Sequence, residues 1–237
     1  MADAKNTFDA PTAGYWPHFG WVAFLFFGFT QVHAVITSPA DQMMGHLQKM
    51  MYVHVPAAWV TFMAFGVVLV TSVLFLWKED ERYDLMAASS AEVGSVFCAL
   101  TLVLGMLWGR PTWGVWWSWD ARLTSTLLLF LIFVGYLALR SFVEDPQRRG
   151  QWSAAVGILG AINVPIVWMS VKWWRTLHQL QSDPRAMTPA YVRGLMLNFL
   201  AFTLLTVFFI RRRYEAARYE RAAEHASQAA ALGGNNE

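Results

Sequence analysis

Long apolar runs alternate with short polar segments along the whole chain. A helix needs about 20 mostly apolar residues to cross a bilayer. Six stretches meet that length: Phe19–Thr37, Pro56–Trp77, Met86–Trp108, Leu123–Phe142, Trp152–Val171 and Gly194–Ile210. The pattern predicts an all-α integral membrane protein in one membrane domain, residues 1–237, with short interfacial helices in some of its loops. The segment before Phe19 holds one lysine and no small-residue cleavage pattern, so the first span reads as an uncleaved anchor. From Arg211 to Leu232 the chain is rich in Ala, Glu and Arg. That composition predicts a helix continuing the last span into a tail, 211–237, with a frayed end at Gly233–Glu237. No internal repeat and no second domain are evident.

Composition agrees with the pattern. The chain is 56% hydrophobic and 14% charged, where a soluble domain is about one quarter charged. The charges cluster between the apolar runs, as expected when a charge at mid-bilayer costs a few kcal/mol or more. With the N-terminus inside, the Lys and Arg residues divide 11 inside to 7 outside, which predicts an N-in, C-in topology. The outer seven are Lys49, Arg110, Arg122, Lys172, Arg175, Arg185 and Arg193. A net charge of +2 gives no nucleic-acid footprint. A single cysteine, Cys98, excludes a disulfide framework and a cysteine zinc site within the chain. There is no C-x-x-C-H for covalent haem attachment and no P-loop, so any ATP-driven step belongs to another subunit.

The unusual residues fall in three segments, all outside in this topology. The first is Lys49–Ala58, where Pro56 suits the first turn of the second span and sets His54 just beyond its outer end. Alone, His54 reads as an interfacial histidine. The second runs from Trp108 to Arg122 and contains Trp113, Trp116, Trp117, Trp119 and Asp120. If this is a short helix, Trp113, Trp116, Trp117 and Asp120 share a face. Aromatic belts scatter Trp along an interface. Four Trp in seven residues followed by an acid is a different pattern, and flat indole faces suit a flat apolar macrocycle. The third segment is Lys172–Gln179, where a helix would make Trp174 and His178 neighbours; a belt with a polar end is the alternative.

Taken together, the segments supply what a haem needs. Two imidazoles, from His54 and His178, can bind iron axially. Indoles can wall the porphyrin, and Lys49, Arg110, Arg122, Lys172 and Arg175 can meet its propionates.

At these residues the sequence resembles a known family. W-G-x-W-W-x-W-D, here Trp113–Asp120, marks haem-handling proteins of bacterial cytochrome c biogenesis. His54–Ala58 (H-V-P-A-A), Trp119–Ser125 (W-D-A-R-L-T-S) and Thr176–Gln179 (T-L-H-Q) are similar to the CcmC, or haem exporter protein C, family over nearly the whole chain. The resemblance implies haem b as cargo at the periplasmic face of the bacterial inner membrane. His54 and His178 map to its axial ligands. The Trp loop, with Asp120 and Arg122, maps to the surface that gathers haem and the apo chaperone CcmE, whose own histidine then captures haem covalently. CcmD assists, and the ATPase CcmA with its membrane partner CcmB releases the loaded chaperone. In the family the position of Lys49 tends to be Arg. Lys keeps the charge and loses the bidentate fork.

Other polar residues read less specifically. Glu92, near the inner end of the third span, is a functional candidate or a paired structural residue. Asn163 and Pro165 lie mid-span, where proline can kink the helix. His33 and His46 are reserve ligands; His18 and His225 fall on the inside. Polar groups at mid-membrane are sparse, which favours handover of haem at one face. The alternatives are an exporter moving haem across the inner membrane, and a membrane subunit that only docks a partner.

Overall fold

The computed structural model describes residues 16–178 and 187–233. Lys5, Gln179, Arg185 and the chain end from Gly234 lie outside the described residues. Six helices are long and apolar enough to cross a membrane. They are α1 (Trp16–Thr37), α2 (Met51–Lys78), α3 (Glu81–Trp113), α4 (Ala121–Phe142), α5 (Pro146–Trp173) and α6 (Pro189–Gly233). The protein is an all-α multi-pass membrane protein, and every apolar run identified in the sequence lies inside one of these helices.

Most helix ends lie beyond the apolar windows, and caps mark several of them. Asp80, Asp120 and Asp145 stand at the N-termini of α3, α4 and α5, and each accepts a hydrogen bond from a backbone N–H of the first turn. At the other end of α3, Gly114 takes a left-handed φ of 80° and its N–H returns to the Arg110 carbonyl at 3.0 Å. α6 runs past the bilayer-length segment without a break.

Helices α2 to α5 form the central group, and α1 pairs with α6 against it. The centre is aromatic: Phe65 of α2 and Phe133 of α4 stack with centroids 3.6 Å apart. Glycines let the helices come this close. A Cβ on Gly94 would lie 2.7 Å from Phe65, and one on Gly160 would lie 2.8 Å from Ile132. Close backbone approach through small residues suits a medium where lipid tails are as apolar as Leu. The α1–α6 pair carries a polar tie: Gln31 Nε2 donates to Asn198 Oδ1 at 2.5 Å, beside the Thr30 hydroxyl.

One end of the bundle is closed by ion pairs. Arg140 of α4 grips Asp84 of α3 with two bonds, at 2.6 and 2.8 Å. Arg213 of α6 pairs with Glu92 at 2.5 Å, so Glu92 takes the paired role. Arg221 pairs with Glu81 and with Glu224. The opposite end carries the three unusual segments and is open.

Three local expectations are corrected. Pro56 is not in the first turn of α2, because the helix starts at Met51 and follows directly on a 3₁₀ turn at His46–Met50. The extra turn packs Met51 and Tyr52 against Ala34, and it carries His54 into the helix. The Trp loop is not helical after Gly114: the left-handed cap ends α3, and residues 115–120 are irregular. Trp174 and His178 are not one turn apart on a helix, since α5 ends at Trp173 and Trp174 is extended. The 3₁₀ turn is thus the short helix found among the described loop residues at this end.

Candidate functional site

A cavity of about 750 Å³ opens among α2, α3, α4, α5 and α6 at the end opposite the ion pairs. Ligand pockets are usually about 300–1,000 Å³. His54 and His178 both line it, as do Trp108, Trp113, Trp117 and Arg122. Five methionines, Met44, Met51, Met106, Met187 and Met196, also line it.

His54 closes the first turn of α2 and is buried. Trp108 meets its ring edge-on at 5.8 Å. Gly105 lies under it; a Cβ there would be 3.2 Å from Cε1. The Thr101 carbonyl lies beside the ring, yet among the described residues Nδ1 has no partner in hydrogen-bond geometry. Thr101, Gly105 and Trp108 share one face of α3 at i, i+4, i+7, a spacing that could have been read from sequence.

His178 comes from the irregular chain after α5. Its ring lies 6.4 Å from that of His54, centroid to centroid, with planes inclined at 34°. Trp113 flanks it at 6.2 Å. A metal–imidazole bond is about 2.0 Å and the nitrogen about 1.1 Å from the ring centre, so imidazoles on opposite sides of one iron have centroids about 6.2 Å apart. The observed spacing fits two ligands on one metal centre. Indole has no acceptor nitrogen, so the tryptophans can contribute walls and N–H donors only. The indole N–H groups of Trp108 and Trp117 are buried and have no partner among the described residues.

The tryptophans of the loop divide by face. Trp113 and Trp117 line the cavity. Trp116 and Trp119 point outward, 56% and 75% exposed, although Trp119 keeps an edge contact with Trp117 at 5.6 Å. Trp173 and Trp174 are also exposed.

The cations divide too. Arg122 is on the cavity wall, with Nε donating to Ser170 Oγ at 3.0 Å and Nη2 to the Trp168 carbonyl at 3.1 Å. Lys49 is off the wall: its ammonium donates to the Val35 carbonyl at the end of α1, at 2.6 Å. Arg110 bonds the Gly114 carbonyl. His33 and His46 are not on the cavity wall.

Asp120 does not face the cavity. Oδ1 accepts from the Leu123 N–H at 2.9 Å and caps α4. Oδ2 accepts from Thr176 Oγ1 at 2.8 Å and from the Leu177 N–H at 3.1 Å. Thr176 Oγ1 in turn accepts from the His178 N–H at 3.0 Å. Sequence reasoning named Asp120 and missed Thr176 as its partner, because the two lie 56 residues apart.

Fold and site together define a class: six-span helical membrane proteins with an apolar, two-histidine cavity at one end. A family model described as Heme exporter protein C (CcmC) matches residues 2–229. The chain belongs to the heme exporter protein C family. It is 41% identical to Heme exporter protein C of Bradyrhizobium diazoefficiens, over 72% of this chain and 66% of that protein, just under two thirds of its length. It is 38% identical to a putative cytochrome c biosynthesis ccmC-like mitochondrial protein of Marchantia polymorpha, over 75% of this chain and 77% of that one. Identity to Heme exporter protein C of Escherichia coli K12 is 36%, over 71% of this chain and 69% of that one.

Proposed function

We propose that this protein binds haem b between His54 and His178 at the periplasmic face of the bacterial inner membrane. It then delivers the haem to the chaperone CcmE for c-type cytochrome maturation. CcmD and the CcmA–CcmB ATPase pair are its partners, and both its termini and the 211–237 tail lie in the cytoplasm. The observation that carries the reading is the 6.4 Å spacing of the two imidazoles across an apolar cavity. Family membership and the names of the relatives support haem as the cargo.

In this reading the two histidines hold the iron from opposite faces, with neutral nitrogens as donors. Trp113 and Trp117 flank the macrocycle. Arg122 is the wall cation that meets a propionate, and Lys49 fastens the 3₁₀ turn beside the mouth. Trp116 and Trp119, already exposed, receive the chaperone. Handover at one face is favoured over passage through the chain because Asp84, Arg140, Glu92 and Arg213 at the far end are engaged in ion pairs.

The test is the absorption and EPR spectrum of the purified full chain with haem. Wild type is expected to show low-spin, bis-histidine iron. His54→Ala and His178→Ala each shift it to high spin, and the double variant loses the haem. A low-spin spectrum that survives the double substitution removes the ligand assignment.

A further inference from the structure

Among the described residues, the segment that carries His178 has no helix to hold it. α5 ends at Trp173, and residues 174–178 are irregular. An axial ligand needs its ring fixed to within a fraction of an ångström, usually by neighbouring hydrogen bonds. The Asp120 carboxylate supplies bonds of that kind. It stands at the N-terminus of α4, where Oδ1 is committed to the helix cap. Its other oxygen takes the Thr176 hydroxyl and the Leu177 N–H. The Thr176 oxygen then takes the His178 N–H. Thr176 Oγ1 is thus donor to the carboxylate and acceptor from the ligand's own backbone.

We propose that Asp120 and Thr176 are positioning residues for His178: the carboxylate at the end of the Trp loop fixes, through the Thr176 hydroxyl, the backbone from which the second imidazole reaches the cavity. The acid that closes the Trp loop therefore sets ligand geometry and does not touch the cargo. A carboxylate suits the position because it is acceptor-only and meets three donors at once. Charge-assisted bonds of this kind are about twice as strong as neutral ones. The inference rests on His178 being a haem ligand, as proposed above.

Three substitutions separate this role from a general structural one. Thr176→Val keeps the shape, leaves the α4 cap intact and removes both hydroxyl bonds. Thr176→Ser keeps the hydroxyl. Asp120→Asn keeps a good helix cap but sets an amide N–H₂ against the Leu177 N–H. The measurements are the EPR spectrum of the haem-loaded full chain and the rate at which diethylpyrocarbonate modifies His178 in the haem-free chain, read by mass spectrometry. Thr176→Val and Asp120→Asn are expected to move part of the iron to high spin, with haem bound roughly tenfold more weakly. Added imidazole should restore the low-spin form, and His178 modification should change in rate. Thr176→Ser should match wild type in all respects. A low-spin wild type with a Thr176→Val variant identical in spectrum and modification rate overturns this inference alone. A wild type without low-spin haem overturns the ligand reading and this inference with it.

Discussion

At the scale of single residues, a few atoms decide whether His54 can be reached. Its ring rests on Gly105: a Cβ there would stand 3.2 Å from Cε1, close enough that the ring must give way. Gly105→Ala is expected to push the ring by a few tenths of an ångström, and Gly105→Val by more. Both should lower haem affinity in that order while thermal unfolding in detergent stays close to wild type. A Gly105→Val variant with wild-type affinity would show that the ring position is not critical. Trp113 and Trp117 turn inward and Trp116 and Trp119 outward because the left-handed Gly114 ends the helix before the run of tryptophans is complete. Helical spacing could not have sorted them. The residue identities were legible in the sequence, but which face each one takes depends on where the helix stops.

At the scale of elements, the buried Arg140–Asp84 pair joins α4 to α3. The two side chains are 13% and 5% exposed, so removing one partner strands the other. Asp84→Asn should cost about 3–5 kcal/mol of stability, read as a lowered unfolding midpoint in detergent. Replacing both with apolar residues of similar volume should recover most of the loss. The six spans were legible because hydrocarbon demands long apolar runs, and each was found. The Thr37 end of α1 and the Phe142 end of α4 were legible too, but the other ends were not, since a hydropathy window follows the lipid and a helix follows its cap. The Met51 start of α2 and the Trp113 end of α3 both lie beyond the apolar windows. Those added turns matter most, because one carries His54 and the other Trp113. The Asp120–Thr176 bond was illegible for a different reason: nothing in either segment names a partner 56 residues away.

At the scale of the whole molecule, the two ends of the bundle differ in kind. One is sealed by paired charges and extended by α6. The other is open, aromatic and apolar. The proposed topology places the open end in the periplasm. A cysteine at Ser118 should then react with a membrane-impermeant maleimide in intact spheroplasts, and one at Ser227 only after lysis. The reverse pattern would move the site to the cytoplasm.

Five methionines stand on the wall of that open end. Methionine has three free torsions and a polarisable sulfur, so it settles against many shapes at little energetic cost. A rigid planar guest entering such a wall is met by side chains that fold around it, with no helix obliged to move. Without a guest the cavity still measures about 750 Å³, so these side chains shape the wall without filling the space. At these five positions the cavity resembles a soft gasket more than a mould.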